Sequence, residues 1–70
     1  MGVNKMTLKV NNTDLFNLSM TLSILYDIQR IDICVELWNK TTNKTKKQFF
    51  PASEFSAALD YYNQMEKFFF

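Results

Sequence analysis

Four groups of residues in this chain could carry chemistry. They are the thiol of Cys34, the carboxylates Asp27 and Asp32, the lysines Lys40, Lys44, Lys46 and Lys47 beside Trp38, Phe49 and Phe50, and the aromatics Tyr61, Tyr62, Phe68, Phe69 and Phe70. The thiol and the carboxylates would suggest catalysis, but the usual helpers are missing. The chain has no histidine to move a proton near neutral pH or to activate Cys34. Its one glycine, Gly2, cannot build a phosphate-cradling loop or a dinucleotide fingerprint. One cysteine and no histidine also exclude an intrachain disulfide and a zinc site of the usual kind. Strand alternation puts Cys34 among charged positions, where it reads as a small hydrophobe rather than a nucleophile. The expectation is a protein that is not an enzyme and uses neither a metal nor a cofactor.

If Gln29-Arg30 is a tight turn, Asp27 and Asp32 face each other across it, and like charges directly opposite on a sheet repel. Such a pair would suit Mg²⁺, Ca²⁺ or a partner's lysine or arginine. Two ligands are too few for a strong cation site, so the expectation is solvated carboxylates softened by Arg30.

Lysines interleaved with stacking aromatics are what a single-stranded nucleic acid or a nucleotide messenger would use. Lysines also keep a hairpin tip soluble and an edge strand from aggregating. The net charge of +1 gives little long-range steering, and the single arginine, Arg30, is the one side chain able to grip a phosphate in bidentate fashion. Duplex-DNA binders are far more basic. A nucleotide or nucleic-acid binder using Lys40, Lys44, Lys46 and Lys47 is therefore the second reading.

The first reading rests on apolar excess. A core in a chain of 70 residues usually supplies no more than about 3–5 kcal/mol of net stability, and association is the support that composition leaves open. Each large apolar side chain left in water forgoes roughly 1.5–3 kcal/mol of burial. Trp38, Tyr61, Tyr62, Phe68, Phe69 and Phe70 are more than one small sheet can cover, so they are expected to form a contact surface for a second copy or for another protein. Lysine outnumbers arginine seven to one, and Asn, Lys, Phe, Ile and Tyr are abundant, as an AT-rich genome encodes. That composition resembles small accessory products of phages or plasmids, whose partner would be a host protein. The expected role is a stoichiometric inhibitor, possible in a defence pathway, that self-associates as a dimer or higher oligomer and works through its sheet edges and aromatics.

The elements follow from periodicity. Residues 5–10 alternate as a first strand, with Met6, Leu8 and Val10 on one side, and end at the turn-prone run 11–14. Phe16, Leu18, Met20, Leu22, Ile24, Tyr26 and Ile28 are apolar at every second position, the rhythm of a half-buried strand. A helix over residues 14–29 is the competing reading, but it would need burial nearly all round. At Gln29-Arg30 the apolar phase flips to Ile31, Ile33, Val35 and Leu37, through a tight turn or a bulge. Residues 38–45 read as a hairpin with Asn43 in the left-handed position, and Pro51 ends a fourth strand. Ser53 is expected to cap a final helix buried through Phe55, Leu59, Tyr62, Met65 and Phe69.

The predicted fold is one α+β domain over residues 1–70. It is a four-stranded antiparallel meander, β-β-β-β-α, with the helix packed on one face; the alternative is β-α-β-β-α. No run of eighteen apolar residues and no signal-type hydrophobic stretch near Met1 occur. The expectation is a cytoplasmic protein without a membrane partner, in which the Asn-x-Ser/Thr triplets at Asn11, Asn17, Asn39 and Asn43 stay unglycosylated. Met6 stands where a myristoylation motif at Gly2 would need Ser or Thr.

Overall fold

A computed structural model describes residues 3–70; Gly2 lies outside them. Strands β1 (Val3–Asn12), β2 (Phe16–Leu25), β3 (Arg30–Asn39) and β4 (Lys44–Pro51) form one antiparallel sheet in sequence order, followed by helix α1 (Phe55–Phe69). The fold is the predicted α+β meander, and the alternative with a helix over residues 14–29 is excluded. The alternation of β2 decides it: Leu18 and Met20 are buried between β1, β3 and the helix, while Ser19 and Thr21 occupy the other face.

The helix contributes Ala58, Tyr62 and Met65 to a core shared with Leu18, Met20, Ile33, Val35 and Leu37. Their spacing of four and three residues keeps one helix face on the sheet. Among the described residues, no second layer covers the opposite sheet face. The Cα atoms span only 15 Å in the thin direction, and the radius of gyration of 12.6 Å exceeds the roughly 11 Å of a compact domain of this length.

Three local details differ from the sequence expectation. First, β2 ends at Leu25; Tyr26–Ile28 form a single 3₁₀ turn closed by Gln29, whose φ is 50°. Neither a two-residue turn nor a bulge makes the connection. Asp27 lies within the 3₁₀ turn, whereas Asp32 lies in β3 opposite Ser23, so the two carboxylates do not face each other. Asp32 instead accepts from Arg30, at 2.7 Å from Nη2 and 3.0 Å from Nε. Ile24 opposite Ile31 preserves the apolar face through the phase flip.

Second, a bulge at Leu8 shifts the register of β1 between Thr7 and Lys9. Met6 is opposite Leu22 on the helix side, but beyond the bulge Lys9 and Asn11 take that side and Val10 turns to the open face, 58% exposed. The reversal serves the helix: Lys9 Nζ lies 5.1 Å from the centre of the Tyr62 ring, and Asn11 Nδ2 donates to Glu66 Oε2 at 2.9 Å.

Third, Ser53 does not cap α1. It sits in a 3₁₀ turn, Ala52–Glu54, that leads directly into the helix, and Glu54 flanks the first helical residue without a side-chain cap. Pro51 ends β4 as expected, and Asn43 takes the left-handed position of the hairpin with φ 58°.

Among the described residues, no helix is long and apolar enough to cross a bilayer.

Candidate contact surface at the helix end

Helix α1 has 15 residues, which at 1.5 Å each cover about 22 Å. Strands β2 and β3 have 10 residues each and extend about 33 Å. One helix therefore cannot roof the sheet from end to end. Its last turns sit over the start of β2, where Phe16 packs against Phe69 at 5.2 Å and Phe70 at 6.1 Å between ring centres. Phe68 packs against Phe69 with its ring tilted by 53° and the centres 5.0 Å apart, and the Phe70 N–H donates to the Glu66 carbonyl at 2.9 Å. These rings remain open to solvent: Phe68 is 82% exposed, Phe69 37% and Phe70 41%.

The six expected aromatic contact residues fall in four places. Phe68, Phe69 and Phe70 crowd the helix end beside Phe16. Tyr61 is half-buried against Phe50, 5.8 Å away. Tyr62 is core, 1% exposed, and is not available to a partner. Trp38 lies on the open face, 39% exposed, opposite Asn17 and Thr45. Its Nε1 donates to Asn43 Oδ1 at 3.1 Å. Trp38 and the terminal phenylalanines thus occupy opposite faces of the sheet and do not make one patch.

The lysines are divided as well. Lys40 Nζ donates to Asn12 Oδ1 and to the Thr13 carbonyl, both at 2.7 Å, and lies 5.7 Å from the centre of the Trp38 ring. Lys47 is on the open face, 4.0 Å from Glu36 Oε2. Lys44 and Lys46, opposite Asn39 and Leu37, point to the helix side, where they border a groove of about 460 Å³ shared with Phe16, Leu37 and Phe69.

Cys34 is half-buried between Thr21 and Phe49 on the open face. Burial, and then the Glu36 carboxylate, push its thiol above the ordinary range, against a weaker pull from Lys47 and Lys5. The thiol is thus held in its unreactive, protonated form. Among the described residues, no three acidic, cysteine or histidine side chains converge as a metal site, and every buried side-chain polar atom has a hydrogen-bond partner.

The uncovered end of the helix-side face was not anticipated. There Met6 and Ile31 are exposed beside half-buried Leu22 and Ile24, their register partners. The signal was present in the mismatch between helix length and strand length.

Compared with protein families, curated proteins and solved structures, the chain matches none.

Proposed function

We propose that this chain is a non-catalytic protein-binding module that self-associates and acts stoichiometrically, as an inhibitor does, through the aromatic surface where α1 ends over β2. The observation that carries this reading is Phe68, 82% exposed beside the partly exposed rings of Phe69 and Phe70. Clustered rings at a helix end are the kind of rigid apolar anchor on which protein interfaces depend.

The sheet edges support a smaller role than the aromatics. Edge strand β1 is bulged at Leu8 and carries Lys5 and Lys9; edge strand β4 carries Lys44, Lys46 and Lys47 and ends in Pro51. Bulges, lysines and a proline are the devices by which natural sheets discourage strand addition. The lysine arrangement also favours a protein partner over a nucleotide or nucleic acid. Of Lys40, Lys44, Lys46 and Lys47, one is tied to the β1–β2 turn, one lies near Glu36, and the remaining two point to the other face; Arg30 is already engaged by Asp32.

Sedimentation equilibrium tests the reading. The wild-type chain should associate reversibly at micromolar concentrations, with little dependence on salt. Phe68→Asp should weaken that association by about tenfold or more, the equivalent of about 1.4 kcal/mol. A chain that stays monomeric throughout, or associates equally well with Phe68→Asp, would refute it.

A further inference from the structure

Beside the aromatic end, a groove of about 460 Å³ runs between the β3–β4 hairpin and the end of α1. Leu37, buried in the core, forms its floor; Phe16 and Phe69 flank it on the helix side, and Lys44 and Lys46 stand along β4. Alternate strand residues share a face, so the two lysines stand side by side, roughly 7 Å apart along the strand. Among the described residues, neither ammonium has an ion-pair or hydrogen-bond partner, unlike those of Lys40 and Lys47, and no carboxylate lines the groove. Two unneutralised ammonium groups beside an apolar floor are complementary to an anion that also carries an apolar group.

The geometry points to an acidic segment of a partner protein as the occupant. An apolar side chain seats against Phe16, Leu37 and Phe69, and carboxylates on the residues before and after it meet Lys44 and Lys46. In an extended segment, residues i and i+2 point the same way at about 7 Å spacing while residue i+1 points the opposite way. An acidic-apolar-acidic triplet therefore presents both carboxylates to the lysine wall and its apolar side chain to the aromatic wall. A small molecule fits less well, because the groove is open along one side and small-molecule sites enclose most of their ligand. A nucleic acid fits less well because Phe16 and Phe69 pack against each other, which leaves them poor platforms for stacking a base. The assignment rests on the protein-binding reading and names that partner's chemistry.

The test titrates the whole chain with fluorescent peptides of Glu-Phe-Glu, Glu-Ala-Glu and Lys-Phe-Lys centre and with oligothymidylate, and locates each probe by amide chemical shifts. Glu-Phe-Glu is expected to bind, to shift Leu37, Thr42, Lys46 and Phe69, and to weaken as salt rises. Its affinity should fall about tenfold for Glu-Ala-Glu and about tenfold in the double variant Lys44→Glu, Lys46→Glu, whose substituted positions are exposed and whose folding the same spectra verify. Equal binding of Lys-Phe-Lys, unchanged affinity in the double variant, oligothymidylate shifting these amides more strongly, or no peptide binding would each overturn the assignment. If the peptides fail while Phe68→Asp still weakens self-association, the acidic partner falls and the protein-binding role stands; if both fail, both fall.

Discussion

Lys40 Nζ donates to Asn12 Oδ1 at 2.7 Å, tying the tip of β3 to the turn between β1 and β2. The same ammonium reaches the Thr13 carbonyl at 2.7 Å, and the Lys40 N–H donates to the Leu15 carbonyl at 2.9 Å. A residue whose type suggested a ligand contact is a clamp between two turns at one end of the sheet.

Removing the clamp should cost stability and leave anion binding intact. Lys40→Ala is expected to lose about 1 kcal/mol, since these bonds are charge-assisted but exposed. That loss lowers Tm by roughly 4–8 °C in a domain of this size. Thermal unfolding measures it; an unchanged Tm would show that the clamp contributes nothing.

Gln29 holds a left-handed conformation, φ 50° and ψ 49°, at the end of the Tyr26–Ile28 turn. Such a conformation costs a non-glycine residue about 1–2 kcal/mol. Gln29→Gly should therefore raise stability by about 0.5–1 kcal/mol, once the extra freedom of glycine in the unfolded chain is deducted. Urea denaturation should show a higher midpoint with an unchanged slope. The same change at Asn43 should gain less, because it also removes the acceptor of the Trp38 indole N–H.

Tyr62 links core packing to alkaline stability. Tyr62→Ala should cost about 3–5 kcal/mol, enough to unfold a domain this small, whereas Tyr62→Phe should fold. Burial, and then Glu66, raise the hydroxyl's pKa above its ordinary value of 10.0. The folded chain thus keeps a proton that the unfolded chain releases. The associated stability is fully present below about pH 10 and is lost as pH rises through the folded value. Denaturation between neutral and strongly alkaline pH should show a decline in the wild type that is smaller in Tyr62→Phe.

Cys34 should be a slow thiol. Its pKa is raised by burial first and by Glu36 second, so at neutral pH less of it is thiolate than in an unstructured peptide. Alkylation by iodoacetamide should be slower in the native chain than in urea. Glu36→Gln should speed the native reaction, because it removes one of the two raising influences and leaves those of Lys47 and Lys5. A native rate equal to the unfolded one would contradict this.

The order of the elements was legible because β2 and β3 alternate cleanly and Pro51 and Asn43 punctuate the chain. What periodicity could not show is how polar residues are shared between faces. The bulge at Leu8 depends on where Glu66 and Tyr62 come to rest, so the reversal that turns Val10 outward is a tertiary effect. Asp27 and Asp32 would face each other only across a tight turn at Gln29-Arg30, and the chain connects the strands through the Tyr26–Ile28 3₁₀ turn instead. The aromatic excess was readable from composition. Its division between the core (Tyr62), the helix end (Phe68) and the open face (Trp38) needed the sheet's register.

The most direct measurement of the central claim, that exposed rings at the helix end make the chain associate, is a dilution series of amide spectra. From high to low concentration, the shifts should change at residues 66–70 and at Phe16, and stay constant along β1 and β4. Changes confined to those edge strands, or spectra identical at every concentration, would contradict the account.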